Sequence, residues 1–333
     1  MAKSKNNLDI SVLIATYNRA EILRQTLESM TRLDRDVLSV EFVIVDNNNV
    51  DNSKEVIKSF ADKLPIRYLF ESRPGKNCAL NRALDEVRLG KIVVFCDDDI
   101  VPQENWLKVI VAACKRWPNY GVFGGRIYMI WPEIAIPSWA RCRSVQEWGF
   151  SRSDNFGELE CPYPLGAHPP GSNFWVRREI FSDGRRYKES IGPCPDSYFP
   201  MGSEASFLLQ LAANGYYAMY IPDAVIGHRV QPNLLSVPAI WKRAYRFGRG
   251  SPHLRGLPRA VLLNKHPILW WLVRVGALAK AIMRCGLAIT FLSRDQRVIE
   301  SAHAIKSIAS NVESLRIASK IEAEKILQKG HRN

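Results

Sequence analysis

Short apolar runs alternate with segments of three-to-four-residue apolar spacing over the first hundred residues. Apolar runs of about 4–8 residues are typical of strands buried on both faces, and the longer spacing is typical of helices that cover a sheet. The predicted strands lie at 9–15, 41–45, 66–70 and 91–96, and the predicted helices at 22–30, 54–60 and 77–87. This order predicts an α/β fold in which a mostly parallel central sheet carries helices on both faces.

The regular pattern is interrupted between residues 126 and 170, where proline and aromatic residues follow no fixed period. We predict irregular loops over a ligand site for this stretch. Regularity returns in a predicted strand at 171–176, a helix at 203–214 and a strand that begins at Tyr217 and leads to His228. Gly215 directly follows this helix, so we predict that it ends the helix in a left-handed conformation.

Polar residues follow three of the predicted strands at their carboxyl ends. These residues are Thr16-Tyr17-Asn18, Asp46-Asn47 and Asp97-Asp98-Asp99. Ligands of such sheets bind at the carboxyl ends of the strands, so we expect these groups to meet in one crevice. Like charges about 4 Å apart repel by roughly 4 kcal/mol near a protein surface, so three adjacent aspartates favour a bound cation. A hard divalent metal, Mn²⁺ or Mg²⁺, fits these oxygen ligands, and a solvated acidic turn is the alternative interpretation.

Five segments together resemble the family 2 glycosyltransferases, a large group of inverting enzymes with the nucleotide-sugar-binding fold called GT-A. The segments are SVLIATYNR at 11–19, VIVDN at 43–47, GKNCALNRA at 75–83, VFCDDD at 94–99, and GSE at 202–204 followed by Leu208, Leu211 and Gly215. The resemblance covers about residues 8–230 and implies a GT-A catalytic domain there. Its nucleotide-sugar half would span about 8–125 and its acceptor half about 126–230.

The resemblance also implies a role for individual residues of the site. Asp97 and Asp99 match the metal-binding Asp-x-Asp motif of the family, and a divalent metal is its implied cofactor. The implied contacts to the nucleotide-sugar donor are Thr16, Tyr17, Asp46, Arg73, Lys76, Asp97 and Asp98. The implied contacts to the donor sugar and the acceptor are Gly171, Ser172 and Asn173.

Glu204 lies where the family places its general base, at the start of the predicted helix 203–214. It would take the proton from the acceptor hydroxyl while that oxygen attacks the anomeric carbon. Many relatives have Glu-Asp where this chain has Ser203-Glu204, and pairing with the helix N-terminus is the alternative role for the carboxylate. His228 matches the place from which some GT-A enzymes draw a third metal ligand, and a packed histidine is the alternative there.

The net charge of +13 comes entirely from the last third of the chain. Residues 1–228 hold 27 Lys and Arg against 28 Asp and Glu, whereas residues 229–333 hold 19 against 5. We therefore predict a basic, mainly helical C-terminal extension over 231–333, which includes a final charged helix at 301–328. Such an excess suits either anionic lipid or nucleic acid.

The stretch Pro267–Leu292 is nearly apolar and is interrupted by Arg274, Lys280 and Arg284. At about 100° per residue these cations fall within an arc of about 120°, which predicts an amphipathic helix on the surface of an anionic membrane. Each cation would cost roughly 2.5–3.5 kcal/mol at the centre of a bilayer, which disfavours a spanning helix. A helix packed on the catalytic domain is the alternative.

The seven cysteines include no Cys-x-x-Cys pair, and residues 1–7 lack an apolar run. We therefore expect a cytoplasmic protein, peripheral on the inner face of the plasma membrane. The predicted acceptor is a glycan or lipid-linked saccharide of cell-surface polysaccharide synthesis. No nucleic-acid partner is expected, because the known signatures are missing. The open alternatives are a sugar-nucleotide nucleotidyltransferase, a nucleic-acid-binding protein that uses the basic third, and a catalytically inactive carbohydrate-binding relative.

Overall fold

A computed structural model describes residues 8–86, 88–257 and 260–330, in which the chain forms two compact units. Unit 1 contains residues 8–133, 150–195 and 203–231. Unit 2 contains residues 134–149, 196–202 and 232–330. The expected absence of a signal peptide at 1–7 concerns residues outside the described part of the chain. The predicted domain limits, 8–230 and 231–333, stay a prediction.

Nine strands, ten α-helices and three short 3-10 helices form these units within the described residues. The strands are β1 (Ile10–Thr16), β2 (Val40–Asp46), β3 (Ile66–Phe70), β4 (Ile92–Cys96), β5 (Ile100–Pro102), β6 (Val122–Ile130), β7 (Cys161–Pro162), β8 (Phe174–Arg177) and β9 (Ala218–Arg229). The α-helices are α1 (Ala20–Met30), α2 (Ser53–Ser59), α3 (Lys76–Leu84), α4 (Trp106–Arg116), α5 (Arg143–Phe150), α6 (Ser203–Ala213), α7 (Val237–Arg255), α8 (Ala260–Lys265), α9 (Pro267–Phe291) and α10 (Arg294–Gly330).

The strands of unit 1 form one mixed sheet in the order β3-β2-β1-β4-β8-β6-β9-β5, with β7 paired to β9. The pairs among β3, β2, β1 and β4 are parallel, and so is β6 with β9. β8 is antiparallel to β4 and β6, and β5 and β7 are antiparallel to β9. The expected α/β class is therefore present, with parallel pairing concentrated in the first four strands.

Helices cover both faces of the sheet because alternate strand residues point to opposite sides. On one face Ile14 of β1 packs in a core cluster that includes Leu27 of α1 and Trp106 of α4. On the other face Leu13 lies in a cluster with Leu80 of α3 and with α6 residues such as Leu208. Both faces of the central strands are thus buried, which explains their uninterrupted apolar runs.

The prediction of irregular loops at 126–170 is wrong where β6, α5, the short strand β7 and a 3-10 helix at Ser138–Arg141 form. β6 continues to Ile130, because Ile127 is buried and its strand pairs with β9 over nine residues. Residues 143–150 form α5, on which Val145 and Phe150 are buried. The prolines of this stretch flank these elements rather than interrupt them.

Helix ends differ from the prediction by a few residues. α3 ends at Leu84, and Val87, the predicted end, lies outside the described residues. α10 begins at Arg294 instead of Ser301. Gly215 has φ 85° after α6, so the predicted left-handed helix end is confirmed.

Unit 2 is built mainly from α7, α9 and α10, and both α7 and α9 pack on α10. Gly248 of α7 permits a close approach to α10, since a Cβ there would lie 2.2 Å from the carbonyl oxygen of Lys306. Trp270 of α9 is fully buried in a cluster with Leu263 and Ala318. None of the helices in the described ranges combines the length and the apolar character needed to cross a bilayer.

Candidate active site

The acidic triplet lies directly after β4, at the edge of the sheet where β1 and β2 also end. Thr16, the last residue of β1, is in register with Asp46, the last residue of β2. Asp98 is close to this edge as well, because the Thr16 hydroxyl donates to its carboxylate Oδ2 at 2.8 Å. The expected convergence of polar groups from three strand ends is present.

Asp97, Asp99 and His228 form a set of metal-ligand atoms that all lie within 4.8 Å of one another. His228 reaches this place because β9 pairs with β5, the strand that follows the triplet, with His228 opposite Ile100. The His228 Nε2 atom is 3.2 Å from Asp99 Oδ1. Two carboxylates and one imidazole are a donor set that fits a divalent ion with room for further ligands.

Arg19, at the start of α1, bridges the second and third aspartates. Its Nη1 atom is 2.5 Å from Asp98 Oδ1, and its Nη2 atom is 2.7 Å from Asp99 Oδ2. Burial nevertheless raises the pKa of Asp98 to about 6, because desolvation outweighs the attraction of Arg19. For Asp99, burial also acts to raise the pKa, but the neighbouring His228 and Arg19 lower it below the usual range. The buried Asp98 carboxylate is thus bound from two sides by the chain itself.

Lys76, the first residue of α3, connects the metal-ligand set to Glu204. Its Nζ atom is 2.5 Å from Asp97 Oδ1 and 2.5 Å from Glu204 Oε1. The Ser203 hydroxyl donates to the other Glu204 oxygen at 2.6 Å. Burial acts to raise the pKa of Glu204, but Lys76 and Ser203 together lower it to about 2. Glu204 is therefore a carboxylate at neutral pH.

Gly171 lies against Glu204, where a Cβ atom would force the Glu204 side chain to shift. A Cβ atom at this position would lie 2.9 Å from the Cδ and Cγ atoms of Glu204. Glycine thus leaves the space that the carboxylate occupies. The structure therefore brings together Gly171, Lys76, Asp97 and Glu204 from four different segments of the sequence.

Other residues predicted to bind the donor or acceptor are engaged within the protein. Asp46 accepts hydrogen bonds from the Tyr68 hydroxyl and from the backbone and side chain of Asn49. Arg73 is 56% exposed and pairs with Glu71 and Glu189. Their proposed contacts with a nucleotide stay predictions.

Asn173 and its neighbours differ from the expected ligand-contacting turn. Asn173 is fully buried, donates to the carbonyl oxygens of Arg126 and Ala224, and accepts from the Trp106 indole. Ser172 is also buried, and its hydroxyl has no hydrogen-bond partner among the described residues. Tyr17, in contrast, is 52% exposed. Asn173 therefore joins β6, β9 and α4, and its proposed sugar contact stays a prediction.

Arg19 and Ser203 are site residues to which sequence reasoning assigned no role. A signal for Arg19 was available, since adjacent buried aspartates require a counter-charge and Arg19 directly follows the polar end of β1. Ser203 had a weaker signal, because a serine beside a carboxylate is common at helix starts.

Comparison with known proteins adds to this geometry. The model of the family described as Glycosyl transferase family 2 matches residues 11–185. Glycosyltransferase AglE of Haloferax volcanii is 23% identical over 276 residues, which cover 81% of this chain and 82% of AglE. The probable glycosyltransferase YdaM of Bacillus subtilis is 23% identical over 250 residues, which cover 74% of this chain and 56% of YdaM.

Two solved structures share the architecture. Mannosyltransferase PcManGT from Pyrobaculum calidifontis, in complex with GDP-Man and Mn²⁺, aligns with a TM-score of 0.56 at 19% identity, over 92% of this chain and 86% of that chain. S. aureus TarS 1-349, in complex with UDP-GlcNAc, aligns with a TM-score of 0.53 at 13% identity, over 90% and 91%. At such identities the likeness concerns the fold alone, and it confirms the expected GT-A class with a helical extension.

Proposed function

This chain belongs to glycosyl transferase family 2, and on that premise we propose that it is a metal-dependent, inverting enzyme that uses a nucleotide-diphosphate sugar. The acceptor is a hydroxyl of a glycan or lipid-linked saccharide in cell-surface polysaccharide synthesis. One observation carries the proposal: a single lysine, Lys76, contacts both a carboxylate of the metal-ligand set and the carboxylate of Glu204.

Asp97, Asp99 and His228 are the residues that would hold the divalent metal. When bound, such an ion neutralises the charge that develops on the leaving nucleoside diphosphate. Related structures support the donor class: PcManGT is in complex with GDP-Man and Mn²⁺, and TarS is in complex with UDP-GlcNAc. We propose that the nucleotide-sugar donor contacts Thr16, Tyr17, Asp46, Arg73, Lys76, Asp97 and Asp98.

Lys76 balances the acidic site when the diphosphate is absent. Four carboxylates, those of Asp97, Asp98, Asp99 and Glu204, lie close to the cations Arg19 and Lys76. The phosphates of the donor can accept hydrogen bonds from the Lys76 ammonium group. Each such bond weakens the ion pair between Lys76 and Glu204. The pKa of Glu204 then rises towards the working pH, where a general base is most effective.

Glu204 is the proposed general base. It accepts the proton of the acceptor hydroxyl while that oxygen attacks the anomeric carbon and the bond to the diphosphate breaks. The attack comes from the side opposite the leaving group, so the configuration of the anomeric carbon is inverted. Gly171 keeps the carboxylate accessible, and Ser203 fixes the orientation of one of its oxygens.

A thermal-shift panel tests the donor and the metal together. UDP-, GDP- and dTDP-sugars are added to the full chain with Mn²⁺, with Mg²⁺ or with a chelator. We expect one nucleotide series to raise the unfolding temperature, and the rise to require the metal. A panel in which no nucleotide sugar stabilises the protein, or in which the chelator has no effect, would contradict the proposed donor and cofactor.

The proposed place of action is the inner face of the plasma membrane. The charge of one segment supports this location. Residues 224–294 contain 12 Lys and Arg but no Asp or Glu. A segment of this composition is attracted to anionic lipid, where a lipid-linked acceptor is anchored.

A further inference from the structure

α9 exposes its apolar side, the reverse of an ordinary amphipathic helix on a globular protein. The exposed apolar side chains form what we call the α9 apolar face: Ile268, Leu269, Leu272, Val275, Ile282, Met283 and Leu287. Ile268 is 77% exposed, Leu272 64% and Met283 60%. Large side chains of this kind are normally covered when they are contiguous.

The geometry of the helix shows that this face is continuous. At about 100° per residue its seven members lie within an arc of about 140°. Trp270 and Ala281, which are buried within unit 2, point about 180° away from the centre of that arc. The helix therefore packs on unit 2 with one side, and the opposite apolar side faces outward along most of its length.

Cations lie along one edge of the α9 apolar face. Lys280 is exposed and lies about 20° beyond Leu287 around the helix, and Arg284 follows at about 60°. Arg284 is 65% exposed and lies 3.9 Å from Glu300 of α10. α9 itself contains no Asp or Glu. An apolar strip with cations at its edge matches the boundary between the acyl chains and the phosphates of a lipid layer.

We propose that the α9 apolar face inserts into the surface of an anionic lipid bilayer, with Lys280 and Arg284 on the lipid phosphates. The helix lies in the plane of the membrane and buries its exposed side chains among the upper acyl chains. Three of its residues are cationic, Arg274, Lys280 and Arg284, so this orientation avoids their transfer to the bilayer centre. This inference rests on the proposed function only in that a lipid-linked acceptor would be found at the same surface.

The cations at the edge of the α9 apolar face favour anionic lipid, rather than a second copy of the chain, as the partner of this face. Two copies that meet through this face would bring cationic edges together, because α9 contains no acid, although Glu300 of α10 lies beside Arg284 at 3.9 Å. Like charges at an interface oppose association, whereas the phosphates of anionic lipids provide the opposite charge.

Co-sedimentation of the full chain with vesicles tests the proposal. One set of vesicles contains phosphatidylcholine alone and the other contains phosphatidylcholine with phosphatidylglycerol. We expect binding to the anionic vesicles, and weaker binding as salt is added. The variant Leu272→Glu with Ile282→Glu should lower the partition coefficient by at least about 30-fold, because two inserted side chains become charged.

A matched control separates insertion from net charge. Val37, which is 99% exposed, and Leu159, which is 79% exposed, both lie in unit 1. The variant Val37→Glu with Leu159→Glu makes the same change of charge away from α9 and should bind vesicles nearly as the wild type does. In a second variant, replacement of Lys280 and Arg284 by Gln should weaken binding about fivefold per residue and reduce its salt dependence.

Several outcomes would overturn the proposal. One is unchanged vesicle binding by the Leu272→Glu and Ile282→Glu variant; another is equal binding of the wild type to both kinds of vesicle. A wild-type dimer in lipid-free solution that this variant dissociates, without vesicle binding, would identify a second copy as the occupant. Donor binding by the same variants is measured in parallel, so a failure of the proposed function leaves the vesicle result separately interpretable.

Discussion

The charged clusters of the two units have opposite compositions: carboxylates outnumber cations in unit 1, and cations outnumber carboxylates in unit 2. In unit 1 the carboxylates of Asp97, Asp98, Asp99 and Glu204 are close to two permanent cations, Arg19 and Lys76, and to His228. In unit 2, among the residues whose burial is described, one carboxylate is buried, that of Glu313, and three potential cations surround it. These are Arg249 at 3.0 Å, His253 at 3.1 Å and Arg316 at 3.6 Å.

From this difference we expect the unit 1 cluster to bind a ligand and the unit 2 cluster to stabilise the fold. An excess of carboxylates at a largely buried site favours either protonation, as the raised pKa of Asp98 indicates, or the approach of a further cation, so the unit 1 cluster suits a bound cation. The unit 2 cluster has no such excess, and Glu313 joins α7 to α10 through Arg249 and His253. Substitutions in the first cluster should alter catalysis and binding, and substitutions in the second should alter stability.

The largest effect is expected at Glu204 in the acid-rich cluster. Glu204→Gln removes the proposed base and should lower kcat by about 1,000-fold, equivalent to roughly 4 kcal/mol, because glutamine does not accept the proton. Steady-state kinetics with a saturating donor measure this change. Glu158→Gln, at a side chain that is 83% exposed, is the control and should keep full activity. An active Glu204→Gln variant would assign the proton transfer to another group.

The next effect concerns the cation-rich cluster of unit 2. Glu313→Ala leaves Arg249 and His253 without their shared acceptor and should lower the free energy of unfolding of unit 2 by about 2–3 kcal/mol. Native-state hydrogen exchange of the α7 amides measures this loss. Glu300→Ala on the same helix, where the nearest cation is 3.9 Å away, should cost less than about 0.5 kcal/mol. If Glu313→Ala reduced the free energy of donor binding as much as the free energy of unfolding, this cluster would not have a purely structural role.

The same cluster has a predictable pH dependence. Burial acts to raise the pKa of Glu313, but Arg249 and His253 lower it below the usual glutamate value. A group with a lowered pKa in the folded state contributes its stability above the unfolded pKa and loses it as the pH falls through the folded value. The difference in stability between wild type and Glu313→Ala should therefore shrink on acidification below about pH 4.3. A difference that stays constant from neutral pH down to the acid transition would contradict this linkage.

A moderate effect is expected at His228. Its replacement by Ala leaves two carboxylates in the metal-ligand set and should weaken Mn²⁺ binding by about 10- to 100-fold. Titration of the full chain with Mn²⁺, followed by electron paramagnetic resonance, measures the affinity without turnover. His168→Ala serves as the control in the same unit. An unchanged metal requirement after His228→Ala would remove this histidine from the proposed site.

The smallest effect is expected at Lys76. Lys76→Met removes the cation that lowers the pKa of Glu204, while burial of Glu204 continues to raise it. The acid limb of the kcat/KM profile, which reports the enzyme without donor, should therefore move to higher pH, and donor affinity should fall about tenfold. Lys76→Arg keeps the charge and should leave the limb near its wild-type position. A Lys76→Met profile that coincides with wild type would show that Lys76 does not act on the base.

Three strands around the site, β1, β2 and β4, could be predicted because nearly all their residues are buried on both faces. β1 to β4 match the predicted runs within about one residue at most ends, because most of their residues are apolar despite Ser11 in β1, Glu41 in β2 and Arg67 in β3. Asp97 and Asp99 could be named because they follow a buried strand and match the Asp-x-Asp motif of the family, and Glu204 and His228 because the resemblance to the family implies their roles. Only the fold brings His228 to Asp99, through the pairing of β9 with β5.

What could not be predicted depends on contacts between distant segments. The bridge from Arg19 to Asp98 and Asp99 joins residues about 80 positions apart. α5 is only eight residues long, too short for a clear helical period beside several prolines. The outward direction of the α9 apolar face also depends on which side packs on unit 2, and apolar spacing alone describes both orientations equally well.

Lys76 determines how the site should respond when Asp97 and Glu204 are substituted together. Asp97 and Glu204 have separate proposed tasks, yet they share one ammonium group, so the removal of either carboxylate alters the surroundings of the other. Their substitutions should be non-additive: the double variant Asp97→Asn with Glu204→Gln should differ from the sum of the two single variants. In a Lys76→Met background that coupling energy should largely vanish. We therefore expect one shared counter-ion to make the proposed donor side and the proposed acceptor side of the reaction thermodynamically interdependent.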